Sequence, residues 1–254
     1  MPISKNMDIS IRAIQSPRMP LDSALEYLSS LKVDNNEILV FPEKFITTRV
    51  NKDSLDKILE SIKIKNTIIL GSISYNDGSL YNRSFLLHNG EIAGRQDKIN
   101  LYRAESLKYT PGNTIKIFDV EGLRIGILVC YDLDFPDYPR YLFRNHCDII
   151  FNPSLIRKDF HREWHLYVET RSLENRIPII SVNSVSDDFQ GDSIIVYPRS
   201  EEGGVRTNTI TSRSVDIVSS FNTSYYSDAR EQRLSEEKLM SGKVVFSEAK
   251  NIEH

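Results

Sequence analysis

Gly126-Ile127-Leu128-Val129-Cys130-Tyr131-Asp132 is a short apolar run that ends on a cysteine and then turns polar. Ile125 to Val129 is too short and too evenly hydrophobic for an amphipathic helix and reads as a buried strand. Cys130 then stands at its carboxyl edge. Asp132, Asp134, Pro136 and Pro139 end the strand and open a helix carrying Tyr141 and Leu142. A strand, a turn and a helix start within a few residues can lift a side chain out of the core and aim fresh backbone N–H groups at it. That geometry suits a nucleophile. The competing reading, to which this stretch alone leans, is a small buried hydrophobe, the ordinary fate of a free cysteine.

Upstream, strand and helix alternate. Asp8 to Ile14 has strand periodicity, and Asp22 is placed to cap a helix with Leu25, Leu28 and Leu31 on one side. Ile38 to Phe41 is a second buried strand; it ends in Pro42-Glu43, so a carboxylate stands where the strand leaves the core. Leu55, Ile58, Leu59 and Ile62 follow a helical period after Asp53, and Thr67 to Ile73 returns as a strand. Ser84 to Leu87 and Glu91 to Arg95 flank Asn89-Gly90, whose tolerance of positive φ predicts a hairpin and hence a mixed sheet. Gln96 to Tyr109 is an irregular segment holding Lys98 and Glu105, followed by the strand Ile115 to Phe118.

Downstream, Asp148 to Phe151 is a strand stopped by Asn152-Pro153, and Arg162 to Asn175 is a helix burying Trp164 and Val168. Ile177 to Val182, Ser193 to Tyr197 and Val215 to Val218 are further strands, with a hairpin-like region late in the chain. Ser227 to Met240 is a charged helical stretch or tail. Without a linker, repeat or low-complexity run, the order predicts one α/β layered domain over residues 1–254, its sheets covered by helices.

Composition excludes several classes. With 32 basic and 35 acidic side chains the net charge is -3, no footprint of a nucleic-acid binder. No segment approaches the ~20 apolar residues of a membrane span, and Met1 to Ile11 has no continuous apolar leader, so a cytoplasmic location is expected. Cys130 and Cys147 lack metal-ligand spacing and would stay reduced inside a cell, so neither a disulfide nor a metal or other cofactor is expected.

Glu43 and Cys130 both follow strands, and Lys98 follows a hairpin. A thiol near its ordinary pKa of ~8.5 is mostly protonated at neutral pH and needs a base or a cation beside it. A glutamate can take its proton, and a lysine can hold the negative charge that develops on a carbonyl or nitrile under attack. Spacing alone does not bring the three together.

Phe41-Pro42-Glu43, Lys98-Ile99-Asn100-Leu101 with Glu105, Cys130-Tyr131-Asp132 with Phe135-Pro136, Asn152-Pro153-Ser154, Arg171-Ser172-Leu173-Glu174-Asn175 and Asn183 occur in this order. Together they resemble the nitrilase (carbon-nitrogen hydrolase) superfamily, amidase-like branch, from the first strand to about Pro198. The resemblance implies a four-layer α-β-β-α sandwich with two mixed sheets. It implies a catalytic triad of Glu43, Lys98 and Cys130, with Glu105 positioning the lysine, and Tyr131, Asp134 and Phe135 at the oxyanion or substrate. The expected substrate is a small amide, cleaved to acid and ammonia through a cysteine thioester; a nitrile or a catalytically inactive binding protein is the alternative. The resemblance also implies a homodimer or larger oligomer, with residues from about 222 to 254 as a C-terminal extension that could serve as a contact arm.

Departures from the family pattern bear on the substrate. Members acting on small amides often carry an arginine four residues after the nucleophile, where this chain has Asp134. Facing the pocket, Asp134 would repel anions and favour a neutral or cationic amide; equally, it could cap the next helix. His146-Cys147 replaces a pair of small residues, with Cys147 read as core packing, and Val185 stands where glycine is common.

Other features read as ordinary structure. His161 and His165 could face one side of a helix for a metal, but no third ligand is placed, and they read as its wet edge beside a buried Trp164. Arg157, Lys158 and Arg162 read as solvated surface, and Asp187-Asp188 with Asp192 as a polar turn without a calcium-loop rhythm. Gly203-Gly204 has no phosphate-loop context. A redox pair of Cys130 and Cys147 is a third functional class, but nothing in the sequence supplies a resolving geometry.

Overall fold

Runs of apolar residues with no polar alternation mark strands covered on both faces, and the architecture shows what covers them. The computed structural model describes residues 6–34, 36–186, 188–213 and 216–237. The first half of the chain contributes β1 (Asp8–Ala13), α1 (Leu21–Ser29), β2 (Glu37–Val40), α2 (Lys52–Ser61), β3 (Ile68–Ile69), β4 (Ile73–Asp77), β5 (Ser79–His88) and β6 (Glu91–Asp97). The second contributes β7 (Ile117–Val120), β8 (Leu123–Ile127), α3 (Asp137–Arg144), β9 (Ile149–Pro153), α4 (His161–Asn175), β10 (Ile179–Val182), β11 (Ser193–Glu201), β12 (Gly204–Ser212), β13 (Ile217–Asn222) and α5 (Ser227–Glu236).

The strands form two sheets, ordered β13-β1-β2-β3-β5-β4 with β6 on β5, and β12-β11-β10-β9-β8-β7. Both are mixed: β1, β2 and β3 run parallel, as do β8, β9 and β10, while the hairpins add antiparallel strands. Successive side chains on a strand point to opposite faces, so each apolar run serves two cores. Ile69, Leu86, Ile125, Phe151 and Ile180 meet in a core between the sheets. Ile68, Leu70 and Leu87 turn outward against Leu28 of α1 and Ile58 of α2. Leu128, Ile150 and Ile179 turn outward against Leu142 of α3 and Val168 of α4. The result is the four-layer α-β-β-α sandwich. No helix among the described residues is long and apolar enough to cross a membrane.

Local details depart from the sequence-based expectations for identifiable reasons. Asp22 lies in the first turn of α1 and makes no cap hydrogen bond; Pro20 holds the N-cap position, and the helix ends before Leu31. Asn51 caps α2, accepting from the Ser54 N–H at 3.0 Å. The apolar run from Thr67 to Ile73 is not one strand but β3 and the start of β4, broken at Gly71 (φ +56°). A Cβ on Gly71 would stand 2.1 Å from the Pro42 carbonyl oxygen, so no side chain fits behind the Pro42-Glu43 turn. Strand β9 continues through Asn152-Pro153, with Pro153 opposite Val182. The expected strand Val215 to Val218 is β13, displaced to Ile217–Asn222, and Val215 lies outside the described residues, as do Asp187 and the arm beyond Glu237.

Candidate active site

Strands β2 and β8 carry Glu43 and Cys130 to the same end of the sandwich. Beyond β2 the chain runs Phe41-Pro42-Glu43; Glu43 bridges to Ser72 of the neighbouring segment, and its N–H donates to the Ser154 carbonyl at 3.1 Å, just after β9 of the other sheet. Cys130 follows β8 and opens a one-turn 3-10 helix, Cys130–Asp134. It has φ +48°, which a side-chain-bearing residue adopts only when its surroundings hold it there. Asn152 supplies part of that hold, its amide donating to the Leu128 carbonyl at 2.7 Å and the Cys130 carbonyl at 3.3 Å.

Lys98 leaves the end of β6, its N–H donating to the Asn82 carbonyl at 2.8 Å. Its ammonium lies 2.9 Å from Glu43 Oε1 and 2.8 Å from Glu105 Oε2. Asn82 donates its side-chain amide to Glu43 at 2.7 Å and to Glu105 Oε1 at 3.3 Å, and Lys44 pairs with that same Glu105 oxygen. The Cys130 thiol completes the group with a hydrogen bond to Glu43, while the Leu155 N–H donates to its sulfur. Glu43, Lys98 and Cys130 are 3%, 2% and 7% exposed, so their charges interact with little solvent screening.

The electrostatics follow from this packing. Burial acts most strongly on Cys130 and, with the charge of Glu43, pushes its thiol well above the usual range, Lys98 and the Leu155 N–H pulling only partly back. The Cys130 sulfur is therefore held as a neutral thiol beside a carboxylate. Burial would lower Lys98, but the charges of Glu43 and Glu105 outweigh it and hold the ammonium charged. Burial would raise Glu105; Lys98 and Lys44 reverse this and bring it down to about 2.

Asp132 joins the lysine loop to the cysteine turn. Its carboxylate accepts from the N–H of Asn100 at 2.7 Å, Ile99 at 3.1 Å and Val129 at 3.2 Å. Burial nevertheless pushes it up to about 6, the Asn100 and Ile99 N–H groups and Lys98 limiting the rise. For an acid raised by folding, the stabilising share is complete below its ordinary pKa of 3.8 and is lost as pH rises through about 6. The geometry runs the other way: protonation turns an acceptor into a donor facing backbone N–H groups. We therefore expect turnover to fall as pH drops below about 6, and Asp132→Asn to be about ten- to a hundredfold slower at pH 8, the loss of one or two charge-assisted hydrogen bonds. Rate profiles of both proteins check this; an acid limb unchanged in the asparagine variant would belong to another group.

A cavity of about 490 Å³ opens over Cys130, walled by Tyr102, Tyr131, Leu155, Ile156, Phe160 and Trp164, with Asp134 also on its lining. Phe135 does not reach it, packing edge-on against Tyr131 at 5.2 Å between ring centres. Phe45 lies wholly in the outer core of the first sheet. His161 is not at the wet edge expected from the sequence; it is buried, with Nδ1 3.1 Å from Asp192 and Nε2 3.2 Å from the Ile156 carbonyl, while His165 reaches the Asp192 carbonyl at 2.8 Å. Asp192 thus belongs to a clamp behind the cavity wall, and the described residues contain no cluster suited to a metal. Cys147 lies in the outer core of the second sheet, its thiol donating to the Ile149 carbonyl at 3.2 Å. Sequence reasoning missed Lys44 and Asn82, and held Asp132 only as part of the Cys130-Tyr131-Asp132 motif, without a role. For Asn82 the available signal was Asn82-Arg83-Ser84, a polar run inside an otherwise strand-like segment.

Comparison with known proteins adds to this geometry. The family model described as carbon-nitrogen hydrolase matches residues 17–201. The probable nitrilase C965.09 of Schizosaccharomyces pombe is 27% identical over 118 residues, 45% of this chain and 43% of that protein, so the match spans less than half of that relative. Omega-amidase YafV of Escherichia coli is 27% identical over 186 residues, 66% of this chain and 72% of its own. Among solved structures, Saccharomyces cerevisiae Nit3, a member of branch 10 of the nitrilase superfamily, superposes with a TM-score of 0.76 at 19% identity, covering 93% of this chain and 97% of that one.

Proposed function

The chain belongs to the carbon-nitrogen hydrolase family, and from that premise we propose that it cleaves a small amide to a carboxylic acid and ammonia through a thioester on Cys130. The observation that carries this reading is the buried contact set in which Glu43 meets both the Lys98 ammonium, at 2.9 Å, and the Cys130 thiol. The similarity to an omega-amidase supports an amide as the substrate.

In the proposed cycle Glu43 takes the thiol proton as sulfur attacks the amide carbon. Because the resting thiol is held neutral, proton removal and attack are coupled, and the carboxylate must already touch the sulfur, as it does here. Lys98 and the Tyr131 N–H stabilise the oxyanion; a charged donor in a dry site needs no reorganisation as the charge develops. Glu43 returns the proton to the departing nitrogen, ammonia leaves, and a thioester remains. Water, deprotonated by the same carboxylate, attacks the thioester; the carboxylic acid leaves and the thiol is restored. Glu105, held ionised between Lys44 and Lys98, keeps the lysine in place.

The test is a panel of aliphatic, carbamoyl, ω-dicarboxylic and aromatic amides with the matching nitriles, read by ammonia release, together with mass spectrometry of enzyme quenched in acid during turnover. The expected result is ammonia from amides and an adduct on Cys130 equal in mass to the amide less ammonia. Ammonia from nitriles alone would move the assignment to nitrile hydrolysis, and a panel with neither product nor adduct would remove the enzymatic reading. We also propose a homodimer: Tyr141 on α3 with Leu166 and Leu173 on α4 leaves large apolar side chains in solvent. A monomer in sedimentation at micromolar concentration would contradict it.

A further inference from the structure

Leu155 and Ile156 stand together on the cavity wall, and the Leu155 N–H donates to the Cys130 sulfur. Leu155 hangs between two anchors. On one side Ser154 is tied to both sheets, its carbonyl accepting from the Glu43 N–H at 3.1 Å and its N–H donating to the Val182 carbonyl at 2.8 Å. On the other side β9 has ended, at Pro153, and side chains take over from strand pairing. Asn183 accepts from the Ile156 N–H at 2.9 Å and donates to the Ile156 carbonyl at 2.8 Å, so one amide grips both polar groups of that residue. His161 stands behind this grip, with Nε2 3.2 Å from both the Ile156 carbonyl and the Asn183 amide nitrogen.

Its neighbours fix how the ring can act. Asp192 faces Nδ1 at 3.1 Å and can only accept, so Nδ1 carries a proton. Nε2 either holds a second proton and donates to the Ile156 carbonyl, or is bare and accepts from the amide that grips that carbonyl. Both forms tie the ring to Ile156. Asp192 is presented by a strained turn: Gln190, Gly191 and Asp192 have φ of +53°, +66° and +63°, three successive residues in the left-handed region. A Cβ on Gly191 would stand 2.2 Å from the Arg213 carbonyl oxygen. Such backbone persists only where its surroundings hold it, and here Asn183 donates to the Gly191 carbonyl at 2.6 Å while His165 reaches the Asp192 carbonyl at 2.8 Å. The side chains of His161 and Asp192 are each 9% exposed, so water offers little in exchange for these contacts.

We propose that His161 is a positioning residue for the nucleophile: anchored on Asp192, it holds Ile156 in place, and through Ile156 it keeps the Leu155 N–H on the Cys130 sulfur as negative charge develops there. A donor already aimed at the sulfur favours the charged form, and it counts for most where the site is dry. His161 acts on the reacting group only through this chain of contacts. The proposal rests on reading Cys130 as the nucleophile, and it is tested on the thiol itself, apart from amide turnover.

The test is the rate at which iodoacetamide alkylates Cys130 in the full-length protein at fixed pH, with peptide masses separating Cys130 from Cys147. Two substitutions divide the contacts of the ring. His161→Asn keeps an amide within reach of Asp192 but stops short of Ile156, whereas His161→Gln extends a donor and an acceptor to the Ile156 carbonyl and the Asn183 amide. His161→Asn is expected to slow alkylation about three- to tenfold, the scale of one hydrogen bond to a charged sulfur once the lower nucleophilicity of a better-stabilised thiolate is allowed for. His161→Gln is expected to lie nearer to the unsubstituted rate. Slowing of less than about threefold in the asparagine variant, or a glutamine variant nearer to it than to the unsubstituted protein, overturns the proposal. Thermal melting shows which variants fold, and His161→Ala replaces the asparagine variant if that one does not. Loss of the fold in the glutamine variant, or in both of the others, would make His161 a residue of the core and overturns the proposal as well. Slowed alkylation in a protein that hydrolyses no amide would sink the amidase reading and spare this inference. Amides hydrolysed by a protein whose alkylation neither substitution slows would do the reverse.

Discussion

Replacing Cys130 by alanine is expected to lower amide turnover by at least about 10⁴-fold while the protein stays folded. The activity half of this rests on chemistry: without the sulfur no thioester forms, and the remaining site can only hold substrate and polarise its carbonyl, which preserves a small fraction of the rate in other nucleophile-deleted enzymes. The folding half rests on packing. Cys130 lies at the mouth of the inter-sheet core, and alanine keeps the Cβ while deleting one atom that already faces the cavity. The backbone at φ +48° is held by Asn152 and by the bonds that Asp132 accepts, none of which involves the thiol. Loss of about 1–2 kcal/mol is the scale for such a truncation. Ammonia release and thermal melting measure the two halves separately. Turnover near the unsubstituted rate would place the nucleophile elsewhere, and an unfolded variant would show that the sulfur holds the turn.

The sequence exposed the fold where burial left its mark on both faces of a strand. Ile38 to Phe41, Ile125 to Val129 and, within Asp148 to Phe151, Ile149 to Phe151 are continuous apolar runs because each serves a core on either side, and they became β2, β8 and β9 with ends shifted by a few residues. Gly204–Ser212 was legible only as a late hairpin-like region. As β12 it is the last strand of its sheet, so Arg206, Thr207 and Asn208 needed no apolar pattern. The break at Gly71 was hidden because apolar residues stand on both sides of it, and only the closeness of the Pro42 carbonyl shows why the chain turns there. The site divides in the same way. Glu43, Lys98, Glu105 and Cys130 stood out through recurring motifs. Asn82 did not, and Asp132 was legible only as part of the cysteine motif and not by what it binds, because their partners are supplied by strand pairing and by a loop crossing 32 or more residues away in sequence. No local period encodes such meetings.

Lys98→Met is expected to cost both activity and stability, and the pH dependence of the stability loss identifies its cause. In the intact site the ammonium separates the carboxylates of Glu43 and Glu105, with Asn82 bonded to both. Methionine fills much of the volume but leaves the buried Glu43 carboxylate facing the half-buried one of Glu105, with Lys44, paired to Glu105 and acting on Glu43 through its charge, compensating only in part. Breaking a buried pair in this way typically costs about 3–5 kcal/mol. Loss of the oxyanion donor alone is worth about 10²–10³ in rate, and a proton captured by Glu43 would remove the base as well. The combined fall is expected to exceed about a thousandfold. In the unsubstituted protein Glu105 is lowered by folding, so its contribution is present above the ordinary value of 4.5 and is lost as pH falls toward about 2. Lys98 is raised, so its contribution is complete below 10.5 and lost only above it. Between those limits the network is fully charged and mutually supporting. In the methionine variant two carboxylates share the site without the ammonium between them, a like-charge arrangement that favours taking up a proton, so the stabilising share lies at low pH and disappears as pH rises. The stability gap between the two proteins should therefore be small near pH 4 and wide near pH 8, as read from denaturant midpoints across that range. A gap that does not change with pH would trace the loss to packing, and a variant within tenfold of full activity would remove Lys98 from the chemistry.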